Sequence, residues 1–231
     1  MRTIGLIGGM SWVSSLEYYR LINERVREKL GGLHSAKSLM FSVDFDEMER
    51  LQNEDKWEEM TRITIDIARR LEGAGAGLLV ICANTMHRVA DDVQEAVGIP
   101  LLHIGDATAD RIKAAGMSRV GLLGTRFTME AEFYKDRLAE KHGLDVLIPS
   151  EEERQVVHGV IYNELCVGNI RQESKDRFIA IIRGLSSRGA EGVVLGCTEI
   201  PLLVRQEDVE VPLFDTTRIH AEAAVDHALA D

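Results

Sequence analysis

Four short stretches of the chain carry residue types that can do chemistry. Gly196-Cys197-Thr198-Glu199 puts a thiol, a hydroxyl and a carboxylate side by side after the apolar run 193–195. A thiol at the start of a helix has its pKa drawn below about 8.5, so the expectation is a thiolate at Cys197, with Thr198 and Glu199 placed to hold a carboxylate or an ammonium. Taken singly, a buried cysteine is more often inert filler. Cys82-Ala83-Asn84-Thr85-Met86-His87 follows a second apolar run, 78–82. Asn84 and Thr85 offer an amide and a hydroxyl to a carboxylate, and they read equally well as helix caps. His87, in a first helical turn, reads as structural. Gly8-Gly9-Met10-Ser11-Trp12 and Gly124-Thr125-Arg126-Phe127-Thr128 complete the set. Their glycines let a backbone approach a ligand, and the helix starts that follow favour an anion. A plain turn, with Thr125 or Thr128 as caps, is the simpler account of each.

Other chemistries lack their signatures. The chain has no H-x-x-x-H or C-x-x-C spacing for a metal, no Walker A loop and no G-x-S-x-G elbow. Gly73-x-Gly75-x-Gly77 lies before an apolar run rather than after one, so it is not a dinucleotide fingerprint. A formal net charge of -11 without any basic block makes nucleic acid a poor partner, and 5% aromatic residues form no stacking surface for bases. No stretch approaches the roughly 18 apolar residues that span a bilayer. The apolar start is interrupted by Gly8-Gly9 before it reaches the about 7–15 residues of a signal-peptide core. The expectation is therefore a cytoplasmic protein with Cys82, Cys166 and Cys197 as free thiols.

The elements that must position these stretches follow from periodicity. Strands are expected at 3–7, 38–43, 78–82, 101–104, 120–123 and 193–195. Helices are expected at 16–30, at 57–71 with Met60, Ile63, Ile67, Ala68 and Leu71 on one stripe, and at Thr216–Leu229. Alternating strands and helices imply α/β architecture with mainly parallel sheets in three αβα layers. The chain also repeats itself. Arg2-Thr3-Ile4-Gly5-Leu6-Ile7-Gly8 matches Arg119-Val120-Gly121-Leu122-Leu123-Gly124, and the run from Gly75 to Cys82 matches the run from Gly189 to Cys197. The two motifs lie nearly equally far apart in each half, which predicts two similar lobes related by a pseudo-two-fold, with the active site in the cleft between them. The expected division is residues 1–104 plus 209–231 in the first lobe and 105–208 in the second.

Taken together, these stretches resemble the aspartate/glutamate racemase superfamily. The resemblance runs nearly end to end, through Gly8-Gly9-Met10-Ser11-Trp12, Tyr18-Tyr19, Gly31-Gly32-Leu33-His34-Ser35, Ser42-Val43-Asp44-Phe45, Asn84-Thr85-Met86-His87, Leu123-Gly124-Thr125 and Gly196-Cys197-Thr198-Glu199. The longer strings are similar to bacterial broad-specificity or L-aspartate/glutamate racemases. The resemblance implies an amino-acid racemase or epimerase that works without pyridoxal phosphate or metal, on a small amino-acid substrate, with a homodimer as its common assembly. Inversion needs proton delivery to the face opposite abstraction, hence two positioned groups, and fixed donors must stabilise a carbanion-like state. The resemblance points to Cys197 as one of these groups, serving the L-enantiomer. It points to Met10, Gln52, Asn84, Thr85, Thr198 and Glu199 as substrate contacts.

Two positions depart from the pattern. Relatives place the first catalytic cysteine, or in some a threonine, directly before Asn-Thr, where this chain has Ala83. Alanine has no proton to give. Strand alternation turns Cys82 to the opposite face. A one-thiol enzyme using water or another group, an engineered loss of the first catalytic residue, and a bulge that brings Cys82 in are the three accounts. Cys166, in Glu164-Leu165-Cys166-Val167-Gly168, stands where aspartate racemases of this type carry a lysine. That loss implies a broader or altered substrate range unless another base, such as Arg50, Arg126 or Arg154, substitutes. The competing functions are a single-cysteine decarboxylase or isomerase of the same superfamily, or an amino-acid-binding protein without turnover.

Overall fold

Four of the strands are uninterrupted apolar runs with both faces covered, and they form the centres of two parallel sheets. The structure, a computed structural model, describes residues 1–130 and 132–230. The chain divides into two units, Met1–Ile104 with His220–Asp231, and Gly105–Ile219.

In the first unit, β1 (Ile4–Gly8), β2 (Ser38–Ser42), β3 (Leu78–Ile81) and β4 (Leu101–Leu102) form a parallel sheet in the order β2-β1-β3-β4. Side chains alternate across it. Ile4, Leu6, Leu78, Val80 and Cys82 face one core with Tyr18, Ala221, Ala224 and Val225. Ile7, Leu79, Ile81 and Ala83 face the other, with Met60, Ile67 and Leu71. The helix Trp57–Gly73 buries Met60, Ile67, Ala68 and Leu71 of the expected stripe, with Thr64 buried as well and Ile63 only partly covered. The helix Trp12–Leu30 starts at Ser11, whose hydroxyl accepts from Ser14 N, and stops at Gly31, where φ is 71°.

In the second unit, β5 (Arg119–Gly124), β6 (Asp145–Leu147), β7 (Gly192–Gly196) and β8 (Leu213–Asp215) repeat the arrangement in the order β6-β5-β7-β8. Leu123, Val193, Leu195 and Cys197 share a core with Phe178, Ile181, Ile182 and Leu185 of the helix Gln172–Ser187.

The strand registers refine the internal repeat. Ile7 lies beside Ile81 and Leu123 lies beside Leu195. Cys82 therefore corresponds to Gly196, and the counterpart of Cys197 is Ala83, one residue later than the sequence match places it. The return to the first unit also differs from expectation. It falls at His220 rather than at 209, because β8 pairs with β7 and so keeps residues 213–215 in the second sheet. Both β6 and β8 are only three residues long, too short for periodicity to reveal.

Candidate active site

In both sheets the chain leaves the first strand toward one neighbour and returns on the other side, so β1 and β3, and likewise β5 and β7, flank a point where strand order reverses. The carboxyl ends of such strand pairs are where α/β folds hold ligands. The candidate residues all follow these strands or lie beside them. Met10 follows β1, the 83–85 turn follows β3, Thr125 follows β5 and Cys197 follows β7.

Cys197 continues the alternation of Val193 and Leu195 and is buried, with 8% of its surface exposed. Its thiol donates to Glu199 Oε2 at 3.0 Å, and the Thr198 hydroxyl donates to the same oxygen at 2.6 Å. Burial, and then the Glu199 carboxylate, push the Cys197 thiol well above its ordinary pKa. This overturns the expected thiolate. The helix beyond it, Ile200–Leu203, is a single turn and offers little dipole, while the desolvated thiol faces a negative charge. Cys166, in the turn Leu165–Val167, packs at the margin of the same core, and burial followed by Glu199 raises its thiol to about 12. Thr125 is buried, its hydroxyl 3.4 Å from that of Thr128, and its carbonyl accepts from the amides of Thr128 and Met129.

In the first unit, Ala83 and Asn84 are buried and Thr85 is half-buried. Thr85 opens the 3-10 turn Thr85–Val89, and the Asn84 side chain makes no capping hydrogen bond to it, which removes the plainer account of that residue. Cys82 points into the opposite core beside Tyr18 and is fully buried. Burial alone raises its pKa strongly. The strand end carries no bulge that would bring this sulfur to the side of Ala83.

Gln52, on the helix Phe45–Asn53, is also buried, and its Nε2 has no hydrogen-bond partner among the described residues. A buried amide donor without a partner costs roughly 1–3 kcal/mol, and a ligand oxygen would satisfy it. Met10 is buried beyond Gly8-Gly9. At Gly9, with φ at 98°, an added Cβ would lie 2.3 Å from Val43 O. The close approach that requires glycine here is therefore that of the backbone at Val43, after β2.

Sequence reasoning read Glu199 only as a group for substrate. Its contact with the thiol was carried by the two-residue spacing, which brings the side chains together only because the chain turns at Thr198. Arg154 donates to Glu130 Oε1 at 2.8 Å and to Pro149 O, so it is engaged locally. The described residues contain no helix long and apolar enough to cross a membrane.

The chain is similar to known proteins. The family model described as Asp/Glu/Hydantoin racemase matches residues 7–224. A crystal structure of a candidate Asp/Glu racemase from Yersinia pestis is 52% identical, with 100% of each chain covered and a TM-score of 0.95. That of an aspartate racemase homologue from Pyrococcus horikoshii is 40% identical, again with 100% of each chain covered, at a TM-score of 0.88. A broad-specificity amino-acid racemase of Bacillus subtilis is 25% identical over 173 residues, which are 75% of this chain and 74% of that one.

Proposed function

The chain belongs to the Asp/Glu/hydantoin racemase family, and from that premise we propose that it exchanges the α-proton of an acidic or related amino acid through Cys197, without pyridoxal phosphate or metal. The observation that carries this reading is the Cys197 thiol held on Glu199 at 3.0 Å. At rest the sulfur keeps its proton. When a substrate ammonium engages Glu199, the negative charge that opposes thiolate formation is neutralised, and the thiol can pass its proton to solvent water and then act as base. The sulfur takes the α-proton of the L-enantiomer, trades it with solvent water as the thiol, and returns a solvent-derived proton to the same face. Asn84 and Thr85 in the first unit, and Thr125 and Thr198 in the second, are proposed substrate contacts, as fixed donors that stabilise developing negative charge. Gln52, with its unsatisfied amide, is proposed to donate to a side-chain oxygen of the substrate. That donor is neutral, and Cys166 brings no cation, so the distal carboxylate of aspartate or glutamate is one acceptable group among several.

The second proton donor, at position 83, is missing. Exchange on one face is therefore expected to outrun inversion, which must recruit water. This favours one alternative, decarboxylation of an arylmalonate-like acid. Loss of carbon dioxide generates the carbanion without a base and needs a single protonated thiol, which Cys197 is.

Incubation of each enantiomer of aspartate and glutamate in D₂O, followed by α-proton NMR, separates these readings. The expected outcome is exchange of the L-form that exceeds inversion, with Ala83→Cys or Ala83→Thr raising inversion. Carbon dioxide release from arylmalonates with no amino-acid exchange supports the decarboxylase. If wild type and both Ala83 variants fail to exchange any amino acid, the racemase reading is wrong.

A further inference from the structure

Three consecutive carbonyls at the end of β3 are each held by a donor. The Ser14 hydroxyl donates to Cys82 O at 2.7 Å. His87 Nδ1 lies 2.8 Å from Ala83 O, and the His87 backbone N–H donates to Asn84 O at 3.0 Å. A carbonyl oxygen can only accept, so Nδ1 carries the ring hydrogen. One residue thus ties down two successive peptide groups of the turn.

The His87 ring is itself confined. It is buried, with the His103 ring centroid 4.6 Å away at 63° and the His220 centroid 5.4 Å away at 67°. His220 is locked in turn. Its Nε2 donates to Leu102 O at 2.9 Å, so its Nδ1 accepts from the Tyr18 hydroxyl at 2.8 Å. A half-turn of the His87 ring would replace Nδ1 with carbon and leave Ala83 O without its donor. The two flanking imidazoles stand edge to face against the ring and oppose that rotation.

We propose that His87 is a positioning residue. Its Nδ1–H, kept in place by His103 and His220, fixes the 83–85 turn so that Asn84 and Thr85 meet the substrate in one geometry. This inference rests on the racemase reading, in which that turn binds substrate. A residue that merely filled space would need the volume of the ring, whereas a positioning residue needs the N–H.

His87→Asn and His87→Phe separate the two roles, because the asparagine Nδ2 reaches nearly the place of the imidazole Nδ1 and phenylalanine keeps only the volume. In α-proton exchange of L-aspartate or L-glutamate, Asn is expected to keep kcat within about threefold of wild type, while Phe lowers it about 10- to 100-fold through misplacement of the turn. Any other ranking, in variants whose circular dichroism matches wild type, overturns the proposal. Long-range ¹H–¹⁵N correlation of the imidazoles in wild-type protein supplies an arm that needs no turnover. A hydrogen found on Nε2 of His87 rejects the positioning role at any activity. A hydrogen on Nδ1 in protein that exchanges no amino acid sinks the racemase reading instead.

Discussion

The Cys197 thiol donates its hydrogen to the Glu199 carboxylate, and in the proposed mechanism that bond must be broken before the sulfur can act as base. With the thiol pushed upward by burial and by Glu199, the sulfur is an acid until something cancels the carboxylate. Glu199→Gln removes the negative charge and leaves the burial, so the Cys197 pKa must fall. The midpoint of iodoacetamide alkylation of the Cys197 peptide, followed against pH by mass spectrometry, is expected to move to lower pH than in wild type. An unchanged or higher midpoint would mean that Glu199 does not control the thiol. Cys197→Ser is expected to abolish α-proton exchange at near-native stability, since a hydroxyl is too weak an acid to replace the thiol; persistent exchange would remove Cys197 from the mechanism. His220 makes a different statement about pH. Burial first, and His87 second, lower its pKa from 6.5 to about 3. The unfolded chain binds this proton and the folded chain does not, so stability is present above about 6.5 and is lost as pH falls toward 3. The loss amounts to about 5 kcal/mol when complete. His220→Gln keeps an N–H for Leu102 O and cannot be charged. Urea unfolding at pH 7 and pH 5 is expected to show a smaller acid loss for this variant than for wild type.

At the scale of the elements, the carboxyl ends of β1 and β3 are held by the start of the helix Trp12–Leu30. Ser14 bonds Cys82 O, and Gly9 N donates to Ser15 Oγ at 2.7 Å. Gly9 occupies a left-handed conformation with Val43 O and Val43 N at 2.3 and 2.5 Å from any added Cβ. Gly31 is also at positive φ, 71°, but a Cβ added there would meet no neighbouring atom of the described residues within 4 Å. Gly31→Ala is expected to cost about 1 kcal/mol of backbone strain alone. Gly9→Ala adds a collision with backbone and is expected to cost about 3 kcal/mol or more, with loss of exchange activity as the β1 turn shifts. Chemical denaturation of the two variants checks the contrast, and equal costs would show that the β1 turn can yield. The same alternation that buries Cys82 with Tyr18 presents Ala83 on the opposite face. Strand geometry therefore keeps the Cys82 thiol off the face that Ala83 occupies.

At the scale of the whole molecule, the formal charge of -11 works against an anionic substrate approaching from a distance. Salt screens that repulsion within a Debye length of about 10 Å at 0.1 M. Raising ionic strength from low to physiological values is expected to increase kcat/KM for glutamate by up to about twofold. A decrease would mean that a locally positive field at the site outweighs the global one. The two sheets share one strand order, yet their counterpart positions have diverged in chemistry. Registers equate Ala83 with Cys197, so the two repeats place a methyl group and a thiol at corresponding strand ends.

The α/β class, the central strands, the helix Thr216–Leu229 and the repeat were legible in the sequence, because buried parallel strands need unbroken aliphatic runs and amphipathic helices need a 3.6-residue period. Gly-Cys-Thr-Glu and Asn-Thr-Met-His were legible as candidate site motifs for a similar reason, since their positions at strand ends follow from the runs before them. The three-residue strands Asp145–Leu147 and Leu213–Asp215 were not, because pairing with a neighbour, rather than any local pattern, makes them strands. Only the tertiary structure decided the state of the sulfur at Cys197. Its protonation depends on how much water surrounds it and which charge faces it, and neither is a property of four residues in a row. The histidines show the same limit, since His87, His103 and His220 are far apart in the chain and only folding brings their rings together.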